Sequence, residues 1–233
     1  MKILSLLPWL DWAVLCFFLA VWVGYALFAR RLAVHKHSIL AASNRYRLRW
    51  IKVSLMRDPR VLDGIITQTL SHTPSFFSST TIIIMGGLLA LLGTTDKAAE
   101  LVREIPFSQA TPLLVFEFKI LILIAIFVYA FFRFSWSMRQ YTFVALMIGA
   151  LPAPQFFIDN PNKQDDYARR VAAMTGLAAE TFNDGLRAYY FSFAAMGWFF
   201  SPLFFVLTTL LIVAILYNRE FHSDVLGVFD DGN

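Results

Sequence analysis

The sequence predicts an all-α, polytopic membrane protein with about four transmembrane helices and amphipathic helices on its cytoplasmic face. Three observations carry that prediction. Residues 113–136, LLVFEFKILILIAIFVYAFFRFSW, contain a stretch from Ile120 to Phe132 without a charge. About 20 apolar residues suffice to cross a bilayer core of about 30 Å as a helix. Of the 233 residues, 58% are hydrophobic and 15% charged, with a mean hydropathy of +0.60; a soluble domain carries about 25% charged residues. The charge is also unevenly placed: the segment from Arg30 to Arg60 is dense in Lys and Arg, against a single carboxylate, Asp58. The whole chain, 1–233, reads as one membrane domain.

Taken in order, the N-terminal MKILSLLPWLDW does not read as a cleavable signal, because Pro8 and Asp11 interrupt it and no A-x-A-like site follows. The first span is expected at 12–29, stopped by Arg30 and Arg31. The basic loop 30–60 marks the cytoplasmic side, which leaves the N-terminus outside. Within it, residues 43–56 have helical periodicity: Leu48, Ile51 and Leu55 share a face, and Arg45, Arg49 and Lys52 form a basic stripe. Two placements fit that pattern. The helix lies on the membrane with its cations among anionic head groups, or it packs on the protein's own cytoplasmic face.

Asp58-Pro59 reads as a helix start, with Asp58 as N-cap and Pro59 at the first helical position. Leu62, Ile65, Ile66, Thr69 and Leu70 follow as one apolar face leading to Pro74. The second span is expected at 75–92, where Gly86 and Ala90 are spaced for close helix approach. Ser78, Ser79, Thr80 and Thr81 supply hydroxyls for interhelical bonds or for a polar path. The loop 94–111 balances Lys97 and Arg103 against Asp96, Glu100 and Glu104, which suits the outer side. Thr111-Pro112 then opens the third span, 113–136. Residues 138–185 are expected as a cytoplasmic helical segment, in which Val171, Met174, Ala178 and Phe182 share a face; YTFVALMIGAL (141–151) is too short to span and reads as an extension of the third helix, a buried segment or a re-entrant one. The last span is expected at 186–217, kinked at Ser201-Pro202. Glu220, Asp224, Asp230 and Asp231 make the tail acidic, which puts the C-terminus outside. A further full span would reverse that.

Several stretches together resemble the DUF599 family of membrane proteins, whose function is not established. They are SFFSSTTIIIMGGLLALLG (75–93), FEFKILILIAIFVYAFFRFSWSMRQY (116–141), MIGALP (147–152) and FNDGLRAYYFSFAAMGWFFSP (182–202). The polar residues match as well as the apolar background. The resemblance implies a multi-span membrane protein, and the expected location is the cell (inner or plasma) membrane. It carries over no catalytic residues.

Candidate chemistry therefore comes from the residues themselves. Ionisable groups within a span cost about 3 kcal/mol on insertion scales. That singles out Glu117 and Lys119, two residues apart and so directed to different sides of their helix. With Ser79 and Thr80 they define a candidate polar path; the bland alternative is a snorkelling lysine and a carboxylate bonded near the helix start. Arg139, Gln140, Asn183, Asp184 and Arg187 define a candidate collar for a head group or anion, or else a salt-bridge network joining helix ends. His72 stands alone near the second span. No phosphate loop, dinucleotide fingerprint, HExxH or GxSxG is present, and no Cys/His cluster accompanies the single Cys16. No catalytic residue, metal site or cofactor is expected, nor a nucleic-acid partner; the expected partners are the bilayer, anionic lipids and further copies of the chain. The first functional expectation is an oligomeric channel- or transporter-like protein. The alternative is a structural or accessory protein that binds anionic lipid or a partner through its basic loop. A lipid-active enzyme ranks third, because no nucleophile–base pair is visible.

Overall fold

The computed structural model describes residues 8–35, 38–103 and 112–229, and these are almost entirely helical, with no strand among them. The helices in chain order are α1 (Trp9–His35), α2 (Ile39–Leu55), α3 (Val61–Leu92), α4 (Thr95–Arg103), α5 (Leu113–Gly149), α6 (Pro154–Asp159), α7 (Pro161–Met196), α8 (Pro202–Phe221) and α9 (Asp224–Phe229). A 3-10 turn, Gly197–Phe199, joins α7 to α8. Four of them, α1, α3, α5 and α8, are long and apolar enough to cross a membrane. Their residues cluster into two compact units.

The first unit comprises Met1–Arg31, Thr80–Phe131 and Leu186–Arg219. Its centre is aromatic. Phe18, fully buried, meets Phe191 and Phe205 with ring centroids 5.7 and 4.9 Å apart, and Trp198 stacks on Phe205. The sequence predicts one kinked span over 186–217; the structure has two helices that double back. Thr208 Oγ1 donates to Ala194 O at 3.0 Å, and Arg219 Nη1 donates to the Tyr190 hydroxyl at 3.1 Å, so α8 returns antiparallel to α7. The cause is local. Ser201 is driven from the helical region by Pro202, and its Oγ accepts the Phe204 N–H at 3.1 Å as an N-cap with Pro202 at the first helical position. Gly197 allows the tight turn, since a Cβ there would lie 2.5 Å from Thr208 Oγ1.

The second unit comprises Leu32–Ser79, Phe132–Gly185 and Glu220–Asn233. It has its own core, built on Ile51, Leu55, Val144, Phe157, Val171 and Ala178. Residues 141–151, ambiguous in sequence, continue α5 as far as Gly149 and bury Tyr141, Val144 and Ile148 here. Ser38 caps α2, its Oγ accepting the Ala41 N–H at 3.2 Å. The helix start expected at Asp58-Pro59 falls later, at Val61, after a cis Asp58–Pro59 bond. Pro112, expected with Thr111 to open the third span, lies just before Leu113, the first residue of α5, and its carbonyl accepts the Phe116 N–H; Thr111 lies outside the described residues.

Two features of this unit bear on the sequence expectations. Leu62 and Ile65 are exposed, while the buried side chains of its part of α3 are Asp63, Thr67, Pro74 and Ser78. An apolar face turned outward and a polar face turned inward is the arrangement a lipid-facing helix requires. The second concerns the C-terminal end of the described chain. Phe229 of α9 meets Tyr46 of α2 at 5.0 Å, and Glu220 Oε1 accepts the Leu40 N–H at 3.3 Å. Helix α9 therefore packs against the basic helix α2.

In the second unit α5 and α7 pack closely at Gly185, where a Cβ would come within 2.5 Å of the fully buried Phe134 ring. Gly185→Ala should therefore lower stability by about 1–3 kcal/mol, despite the better helix propensity of alanine. The thermal unfolding midpoint in detergent measures this, and an unchanged midpoint would mean the contact has slack.

Candidate functional site

The charged residues of the expected polar path are bound to neighbours. Glu117 Oε1 accepts the Thr95 hydroxyl at 3.1 Å, tying the start of α5 to the start of α4. Lys119 is 4% exposed; its Nζ donates to Trp198 O at 2.7 Å and lies 5.3 Å from the Trp198 ring centroid. Trp198 Nε1 in turn donates to Asp11 Oδ1 at 2.6 Å, and the buried Asp11 carboxylate interacts with the Lys119 charge. A residue that merely interrupts an apolar run in the sequence is thus the counter-charge of a buried lysine. Glu117 and Lys119 turn to separate partners, as their spacing requires.

Of the α3 hydroxyls, Ser79 is exposed and Thr80 half-buried. Beside them, Ser78 bonds with Ser135 at 3.2 Å in the second unit, and Thr81 with Tyr189 at 2.6 Å in the first. Asp63, Thr67, Ser78 and Thr81 recur on one side of α3, and this polar periodicity is the sequence signal of the face.

The collar residues differ in burial, each within its own unit. In the second unit, Asp184 is buried and pairs with Arg133, a residue outside the expected set. Arg139 is exposed with its guanidinium over the Phe143 ring, Gln140 is buried with no hydrogen-bond partner for Oε1, and Asn183 is half-buried. Arg187 is buried in the first unit. His72 is exposed, and no group of His, Cys, Asp or Glu among the described residues has the arrangement of a metal site.

The basic stripe, by contrast, holds together as a surface. Ile51 and Leu55 are sunk in the core of the second unit, so the apolar face of α2 is used by the protein itself. Arg45, Arg49 and Lys52 lie exposed on the other side. Arg49 caps the Tyr46 ring at 5.2 Å, and Lys52 Nζ reaches Asp165 Oδ1 at 2.8 Å, holding that carboxyl below its usual range. Arg47 is turned inward to Asn44 Oδ1, and burial lowers its affinity for a proton while Tyr141 opposes this. The turn beside α2 is braced by Asp63, fully buried, whose Oδ1 accepts Trp50 Nε1 at 2.8 Å and Arg57 Nη1 at 2.7 Å.

Residues 13–225 match the family described as a protein of unknown function, DUF599. The chain belongs to the DUF599 family. No curated protein and no solved structure matches it. In this DUF599 member, then, the buried charges serve as internal ties, and the exposed stripe on α2 is the candidate functional surface.

Proposed function

We propose that the protein is an integral membrane protein of the cell (inner or plasma) membrane whose second unit presents a basic surface to anionic lipid head groups. The observation that carries this reading is the division of α2: Ile51 and Leu55 are buried, and Arg45, Arg49 and Lys52 are exposed. The excess of Lys and Arg in this loop favours the cytoplasmic side. Since α9 rests on α2, the C-terminal helix shares that side. The channel-like reading loses support from the same geometry, because Glu117, Lys119, Ser78 and Thr81 all bond to neighbouring helices or turns.

The test is lipid binding by the full chain in nanodiscs. At about 1 kcal/mol per cation near an anionic surface, Arg45→Gln/Arg49→Gln/Lys52→Gln should weaken phosphatidylglycerol binding roughly a hundredfold and leave phosphatidylcholine binding unchanged. The wild-type preference should also fall as salt rises. Equal binding by wild type and triple variant would overturn the reading. Flux assays on reconstituted protein with Glu117→Gln alongside decide the channel alternative, which a substitution-sensitive flux would restore.

A further inference from the structure

We infer that the C-terminal tail is a displaceable strap over the basic helix, held there by charge and released by an anionic membrane surface. This rests on the lipid-binding reading of α2 and adds its regulation.

The α2 segment carries Arg45, Arg47, Arg49 and Lys52 and no acid. The chain from Glu220 onward carries Glu220, Asp224, Asp230 and Asp231, the last two outside the described residues. The signs are complementary, and the two segments meet through the Phe229–Tyr46 ring contact and the Glu220–Leu40 hydrogen bond. The tail's hold is weak by construction. Helix α9 is six residues long, buries none of its side chains and contains Gly227, with open space around it. A helix of that length has no stability of its own, and local elements with little buried surface open readily. Its outer face carries exposed Val225 and Val228. The described carboxylates of this end of the chain, Glu220 and Asp224, compete for the α2 cations with a lipid surface whose charge density is higher. On phosphatidylcholine the tail stays docked; on phosphatidylglycerol the lipid takes its place.

Two measurements on the full chain in nanodiscs test this. First, Asp224→Asn/Asp230→Asn/Asp231→Asn/Phe229→Ala should raise affinity for phosphatidylglycerol, roughly tenfold if each lost surface pair had contributed modestly. Second, a spin label on Val228→Cys, in a Cys16→Ser background because Cys16 is exposed, should be slow in phosphatidylcholine and fast once phosphatidylglycerol is included. Unchanged affinity in the tail variant, with binding still lost in the Arg45/Arg49/Lys52 variant, would overturn the strap and leave the basic surface standing. A label equally mobile in both lipids would likewise overturn it. No binding dependent on Arg45, Arg49 and Lys52 in either tail form would overturn the surface reading and the lipid-released strap with it.

Discussion

Asp11→Ala should cost about 3–5 kcal/mol of stability, because it leaves the buried Lys119 ammonium without a counter-charge. Lys119 cannot recover by turning outward, since its Nζ is bound to Trp198 O at 2.7 Å and the side chain is 4% exposed. Asp11→Asn separates the two roles of the carboxylate: it retains an oxygen for Trp198 Nε1 and removes the charge. Replacing both partners, as Asp11→Ala/Lys119→Met, should recover much of the loss, since an apolar pair of similar volume is often neutral beside a buried ion pair. Thermal unfolding in detergent of the three variants gives the comparison. A double variant no more stable than Asp11→Ala would show that the charges are not coupled.

The second large effect is expected at Arg60. Its Nε donates to Ser54 O at 3.1 Å, Nη1 to Leu151 O at 3.1 Å, and Nη2 to Leu55 O at 3.3 Å and Pro152 O at 2.6 Å. One guanidinium thus satisfies the terminal carbonyls of α2 and of the segment just beyond α5, where helices leave acceptors unpaired and a cation is favoured. Hydrogen bonds from a charged donor are worth about 1.5–3 kcal/mol, so Arg60→Ala should lower stability by about 3 kcal/mol or more. Arg60→Lys should recover less than half, because one ammonium cannot reproduce a planar fork reaching two chain segments. Equal midpoints for Arg60→Lys and wild type would refute this account.

Helix formation was legible almost throughout, because long uncharged runs and 3.6-residue periodicity are dictated by local sequence. The face of α7 with Val171 and Ala178 lies in the core as its spacing requires. What escaped was the assignment of sides and partners. Apolar periodicity names the packed face only in water; at Leu62 and Ile65 the same pattern marks the exposed face. Ser201-Pro202 carries the signal of a kink and of a hairpin alike, and the contact of Ala194 with Thr208 decides between them. Asp11 and Arg60 find partners 187 and 92 residues away in sequence, beyond any local pattern. The stripe Arg45, Arg49 and Lys52 was the readable part of the candidate surface because exposed helical cations need no distant partner to be recognised.

The inward polar face of α3 has a mechanical consequence. Successive residues of a helix are turned by about 100°, so advancing α3 by a single position would swing Ser78 and Thr81 away from Ser135 and Tyr189 and bring Ser79 and Ile82 towards them. Asp63 would lose Trp50 and Arg57 in the same step. The hydroxyls and the carboxylate act together as the teeth of a key. Within each unit they fit at one rotation and one height, so each part of α3 turns only by breaking its own bonds.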